Sequence, residues 1–296
     1  MKKRLLFLLM LVFCFLFAAC ASTNGTIKTE VQMQDNTERK EVTASTADTA
    51  GSNLGMVVVG TEKYRDFLID NVFHSVTEGD IHYNVYIPET YDGTKPYALY
   101  FTLPGYGGLY FQGVAANIKT EEFGFEAMKY IEEMIIVAPQ LNDWGEISAN
   151  QTIALVEYFL EQYNIDRNRV YGSGYSGGGE TMSLVMGKRP DLFTAYLHVS
   201  SKWDGEYAPV AEHELPVYLA IGRSDEYYGS EPTQKAYDTL YALYEQRGLA
   251  KEEIDSLLVL DIKEHNYFTE QGILNEHGGG GFFAFDEEIM GWLFAK

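Results

Sequence analysis

Cysteine is nearly absent from this chain of 296 residues, and the two that occur, Cys14 and Cys20, both fall within the first twenty positions. Everything after Cys20 lacks a thiol, which excludes a disulfide framework, a thiolate zinc site and an iron-sulfur cluster there. Positive charge is also scarce: 22 Lys and Arg stand against 43 Asp and Glu, a formal net charge of -21. That balance opposes docking on a polyphosphate backbone or an anionic lipid surface, so nucleic acid is not an expected partner. What is present, 46% apolar and 22% charged residues, is enough to bury a sizeable core and excludes disorder throughout.

Lys2, Lys3 and Arg4 precede an unbroken apolar run from Leu5 to Ala19, the charged start and hydrophobic stretch of a secretory signal. The run is shorter than the roughly 20 residues a spanning helix needs. It ends in Phe17-Ala18-Ala19-Cys20, which resembles the lipobox of bacterial lipoproteins, with Phe17 where Leu is usual. Residues 1-19 are therefore expected to be a signal peptide and Cys20 a lipidation site; a plain secretory signal and an uncleaved anchor are the alternatives. Residues 20-53 are polar and aperiodic, as expected of a flexible tether or of a pro-segment removed after export. The expected location is the outer face of the cell membrane, held by lipid, or the medium.

From residue 54 onward, strand-length apolar runs alternate with amphipathic helical segments, the pattern of an α/β domain with a mostly parallel sheet. No linker divides 54-296, which is read as one domain. Ile81 to Ile87 alternates like a half-buried antiparallel edge strand, whereas Tyr97 to Leu103 and Met134 to Ala138 are continuous runs typical of buried parallel strands. Helices are expected over 122-133, 149-163, 180-188, 233-247 and 283-294. Further strands are expected over 169-172, 195-199, 217-221 and 257-262.

Gly174-Tyr175-Ser176-Gly177-Gly178 lies between an expected strand and an expected helix, the setting in which a Gly-x-Ser-x-Gly turn projects a nucleophilic serine. The following helix N-terminus favours negative charge developing there. Ser173 lacks the same flanking spacing. A nucleotide loop is excluded by the missing Gly-Lys-Ser/Thr ending and by glycine spacing unlike Gly-x-Gly-x-x-Gly.

With Asp166-Arg167-Asn168-Arg169-Val170-Tyr171 running into that turn, residues 80 to 296 resemble the α/β-hydrolase superfamily. Within it, they are similar to exported esterases and prolyl-oligopeptidase-like enzymes, including the polyhydroxybutyrate depolymerase and feruloyl esterase type. The resemblance implies a mostly parallel sheet with helices on both faces and the chain order nucleophile, acid, base. It points to Ser176 as nucleophile and to Asp225, after the apolar run Val217 to Ile221, as acid, with Glu226 and Asp204 competing. His277, ahead of Gly278 to Gly281 and the last helix, is the implied base, with His265 the rival. The oxyanion donors would be the N-H groups of Gly177 and of Tyr106 in Leu103-Pro104-Gly105-Tyr106-Gly107-Gly108. Pro104 stands where the family's His-Gly-x-Gly-Gly segment has histidine.

Such a site supports acyl transfer with no metal or organic cofactor. The expected activity is hydrolysis of a small-molecule or polymer-derived ester, with a serine peptidase or a non-catalytic binding lipoprotein as alternatives. Tyr106, Tyr110, Trp144, Trp203, Tyr227 and Tyr228 follow strands, where such a fold builds its pocket. They are expected either to stack on sugar or phenolic groups or to serve as ordinary loop packing.

Overall fold

The computed structural model describes residues 53-296. The signal segment, Cys14, Cys20 and the tether up to residue 52 lie outside the described residues. Ten strands form one sheet: β1 (Gly55–Val58), β2 (Glu62–Tyr64), β3 (Phe67–Ser75), β4 (Gly79–Tyr86), β5 (Tyr97–Leu103), β6 (Met134–Pro139), β7 (Ile165–Tyr175), β8 (Ala195–Val199), β9 (Val217–Gly222) and β10 (Leu258–Lys263). Their order is β1-β3-β4-β6-β5-β7-β8-β9-β10, with β2 also paired to β3. From β6 to β10 every pairing is parallel, while β4 runs antiparallel to both β3 and β6.

The helices are α1 (Ala116–Thr120), α2 (Phe123–Ala127), α3 (Glu146–Gln162), α4 (Gly177–Lys188), α5 (Ala208–Glu212), α6 (Glu231–Gln246), α7 (Lys251–Leu257), α8 (His265–Thr269), α9 (Glu276–Gly279) and α10 (Glu287–Phe294). They cover both faces of the sheet, and strand periodicity explains why. In the fully buried β5, Tyr97, Leu99, Phe101 and Leu103 enter one core with Leu155, Val156 and Phe159 of α3, Met182 and Met186 of α4, and Leu240 of α6. Ala98 and Tyr100 point the other way, into a core with Ile118, Phe123, Met290 and Leu293. Successive side chains on a strand face opposite ways, so only a continuous apolar run can fill two layers at once. This is a doubly covered, mostly parallel sheet, as the alternation of elements implies.

Two local expectations are corrected, and one strand has no counterpart among them. The strand around Ile81 to Ile87 is antiparallel but interior, because β3 covers its outer edge. The unread β3 buries alternate residues Phe67, Ile69, Asn71 and Phe73; its pattern is hidden by Asn71, whose amide bonds the Leu68 and Tyr83 carbonyls. The helix expected over 122-133 is regular only across α2. Beyond it, the N-H groups of Met128, Lys129 and Tyr130 return to carbonyls three residues back, so the segment tightens into turns before β6.

Candidate active site

β7 ends at Tyr175 and α4 begins at Gly177, which leaves Ser176 alone to reverse the chain. Its backbone is at φ 55° and ψ -126°, a conformation that costs a non-glycine residue energy and persists where the surroundings enforce it. Neighbouring glycines make the reversal possible. A Cβ on Gly174 would lie 2.4 Å from the Gly178 carbonyl oxygen, and one on Gly178 would lie 2.5 Å from the carbonyls of Leu103 and Pro104. The Ser176 N-H donates to the Val199 carbonyl at 3.0 Å, and the Ser201 hydroxyl donates to the Ser176 carbonyl at 2.6 Å. These bonds pin the turn to the end of β8.

Ser176 Oγ lies 3.0 Å from His277 Nε2, and His277 Nδ1 lies 2.9 Å from Asp225 Oδ2. Asp225 follows β9 in a tight turn, where its other oxygen accepts the N-H groups of Tyr227 and Tyr228 at 3.0 and 2.8 Å. Those donors hold a buried carboxylate in one orientation. The arrangement fixes the imidazole so that a proton on Nδ1 faces the carboxylate and Nε2 is free to take one from serine.

The histidine loop is itself tethered. Glu226 accepts the N-H of Glu276 at 3.1 Å and that of His277 at 2.9 Å, and the Tyr175 hydroxyl donates to the His277 carbonyl at 2.8 Å. Burial works against ionisation of Glu226, but backbone N-H donors, those of His277 and Glu276 among them, together with the nearby His277 ring, prevail and hold its carboxyl below the usual range. The Glu226 carboxylate thus binds the loop's backbone, leaving the imidazole to Asp225. Asp204, the other competing acid, pairs with Lys202 at 2.9 Å. His265 bonds the buried Glu276 at 2.8 Å and is 67% exposed on its side chain. Ser173 is buried between Tyr100 and Thr102, at 2.6 and 3.1 Å.

The loop after β5 turns through a short 3₁₀ segment, Tyr106–Gly108. With Pro104 in place of histidine, two other side chains hold it. Gly105 N-H donates to Glu121 Oε1 at 2.7 Å, and the Gln140 amide donates to the carbonyls of Gly108 and Gly113 at 3.3 and 2.7 Å. Burial pushes the Glu121 carboxyl up to about 8 despite the opposing Gly105 N-H. Tyr106 stands at the head of this turn, just past the end of β5, and Gly177 at the first position of α4, just past Ser176 at the end of β7; the two strands pair in parallel with Leu103 beside Gly174. The order in sequence did not point to Glu121, Gln140 or Glu226 as supports, since each acts through backbone groups far away in the chain.

Aromatic residues rim the site. Trp144 packs so closely on Gly177 that a Cβ there would meet the indole at 2.2 Å. Tyr227, 73% exposed, and Tyr228 place their rings 5.3 and 5.5 Å from His277. Tyr106 pairs edge-on with the exposed Phe111 at 5.5 Å. Tyr110 stacks on His82 at 3.9 Å. Trp203 takes the packing alternative: it is buried among Tyr196, His198 and Tyr207 in the core.

Residues 140–258 match the sequence profile of the prolyl oligopeptidase family, and no curated protein matches the sequence. Among solved structures, a thermostable esterase superposes with a TM-score of 0.63 at 20% identity, covering 78% of this chain and 63% of its own, so this chain spans less than two thirds of that relative. A ferulic acid esterase superposes with a TM-score of 0.51 at 14% identity over 77% of this chain and 97% of that one. Oligopeptidase B from Leishmania major does so at 0.52 and 13% identity, over 76% of this chain and 36% of that one. The fold is therefore the α/β-hydrolase fold.

Proposed function

We propose that the protein is an exported serine hydrolase, lipid-anchored through Cys20, that cleaves a carboxylic ester by way of an acyl-enzyme. The observation that carries the catalytic part is the unbroken chain Ser176 Oγ, His277 Nε2, His277 Nδ1, Asp225 Oδ2, with links of 3.0 and 2.9 Å. His277 takes the Ser176 proton as Oγ attacks the ester carbonyl, and Asp225 stabilises the imidazolium without itself becoming protonated. The N-H groups of Tyr106 and Gly177 receive the oxyanion. His277 then hands its proton to the departing alcohol, and water repeats the sequence to free Ser176. The esterase likenesses and the aromatic rim of Trp144, Tyr106 and Tyr227 support a sugar or phenolic ester as substrate.

The match of residues 140–258 to the prolyl oligopeptidase family favours a second reading, a serine peptidase. A panel of acetylated sugars, feruloyl sugars, simple acyl esters and dipeptide amides, assayed on wild type and Ser176→Ala, decides between them. Ester turnover lost in the variant supports the first reading, and amide turnover without ester turnover supports the second. A panel with no Ser176-dependent turnover supports a binding protein on a hydrolase fold. Globomycin-sensitive processing and membrane fractionation of the Cys20→Ala variant test the anchor: wild type should sediment with membranes and the variant should not.

A further inference from the structure

The proposed chemistry leaves one polar side chain at the nucleophile without a task. Tyr228 donates its backbone N-H to Asp225 and sets its ring edge-on to His277, while its hydroxyl donates to Glu180 Oε1 at 2.7 Å. Glu180 lies in the first turn of α4, and Lys202 Nζ stands 3.7 Å from the same oxygen. The Glu180 N-H in turn donates to the Ser176 carbonyl at 3.2 Å, which sets the Tyr228 hydroxyl at the nucleophile's end of α4. Burial and the Glu180 carboxylate push the phenol's ionisation up, so it stays protonated. A phenol has one proton to give; with that proton committed to Glu180, the oxygen offers the site an acceptor.

We propose that Tyr228 is a further catalytic residue, accepting a hydrogen bond from the water that hydrolyses the acyl-enzyme. The proposal rests on the serine hydrolase reading. Water enters between His277 and the acyl carbon with two protons. As its oxygen bonds to that carbon, one proton passes to His277 Nε2 and the carbonyl pair moves onto the oxyanion. The other proton remains on the new hydroxyl and points to the Tyr228 oxygen. The bond from Ser176 Oγ to carbon then breaks, its electron pair goes to Oγ, and His277 returns its proton there. Tyr228 gains and loses nothing. In acylation the single Ser176 proton goes to His277 and the ester's leaving oxygen carries none before it departs, so no proton is left to point at Tyr228, and its effect falls on deacylation.

Stopped-flow kinetics with p-nitrophenyl acetate test this. Tyr228→Phe keeps the ring and removes only the hydroxyl. It is expected to lower kcat about tenfold, the worth of one hydrogen bond, with KM falling in step so that kcat/KM stays within about twofold. A burst of nitrophenolate should precede the slowed steady state. Glu180→Ala, which frees the Tyr228 proton, should also lower kcat more than kcat/KM. An unchanged kcat in Tyr228→Phe, or equal losses of kcat and kcat/KM at constant KM, would overturn the proposal. Trapping on the wild type separates the two levels. A wild type that neither turns over p-nitrophenyl acetate in a Ser176-dependent way nor forms an acetyl-enzyme on Ser176 overturns the hydrolase reading and this proposal with it. A wild type that does, beside an unaltered Tyr228→Phe, overturns the role of Tyr228 alone.

Discussion

Ser176 Oγ and His277 Nε2 stand 3.0 Å apart although 101 positions separate them in the chain. Three strand ends bring them together: β7 delivers the serine, β9 delivers Asp225, and the segment after β10 delivers the histidine. In the proposed mechanism His277→Ala removes the base and should lower ester turnover by about four to six orders of magnitude. His265→Ala should leave turnover within about threefold, because its imidazole bonds Glu276 at the exposed edge of the loop. Purified variants assayed on one acetate ester check the pair, and the reverse ranking would move the base.

Glu226 should matter more than an ordinary surface acid. Its two oxygens accept the N-H groups of Glu276 and His277, so Glu226→Ala releases the loop that aims the imidazole. The expected loss in kcat is about tenfold to a hundredfold, the worth of charge-assisted hydrogen bonds. Glu226→Gln, which keeps an acceptor oxygen, should recover part of it. Steady-state kinetics beside thermal melting separates a mobile histidine from an unfolded protein.

Gly178 approaches the carbonyls of Leu103 and Pro104 so closely that a Cβ would lie 2.5 Å away. Gly178→Ala must therefore push the serine turn away from the loop that carries Tyr106. The expected result is loss of activity together with a melting temperature lowered by several degrees, about 2 kcal/mol of destabilisation or more for a 244-residue unit forced to shift backbone against backbone. Gly229→Ala has open space around the glycine but a φ of 66°, so its cost should be about 1 kcal/mol. Denaturant midpoints for the two variants check the ranking.

Glu121 makes stability depend on pH. Its carboxyl is raised from 4.5 to about 8 by burial, so between those values the folded protein holds a proton that the unfolded chain has released. Stability from this group is fully present below about pH 4.5 and is lost as pH rises through about 8. Urea midpoints should therefore fall between about pH 6 and about pH 9, and Glu121→Gln should flatten that part of the curve. A wild-type slope equal to that of the variant would mean that Glu121 is ionised at neutral pH and that Gly105 N-H outweighs burial.

The parts of this molecule that could be read in the sequence are those with a local physical signature. Largely apolar runs mark β5, β6, β8 and β9 because a strand buried on both faces has no solvent-facing position, and Thr102 in β5 and His198 in β8 are buried with the rest. Glycines flank Ser176 because its turn brings backbone against backbone. The parts that could not be read depend on which partners the fold brings to a side chain. β3 is masked by a buried Asn71 whose bonding carbonyls are supplied by its own strand and β4. Trp203 follows a strand as Trp144 does, yet one fills the core and the other covers Gly177. Tyr228 reads as one more loop aromatic until Glu180, 48 positions earlier, is seen to bind its hydroxyl.

The central claim is that Ser176 is a nucleophile activated by His277. Reaction with a fluorophosphonate probe, followed by peptide mass mapping, tests it most directly, since such probes bond to an activated serine. The account predicts one adduct, on the peptide carrying Ser176, abolished in Ser176→Ala and strongly slowed in His277→Ala. An unlabelled wild type, or labelling that persists at another residue in Ser176→Ala, would contradict it.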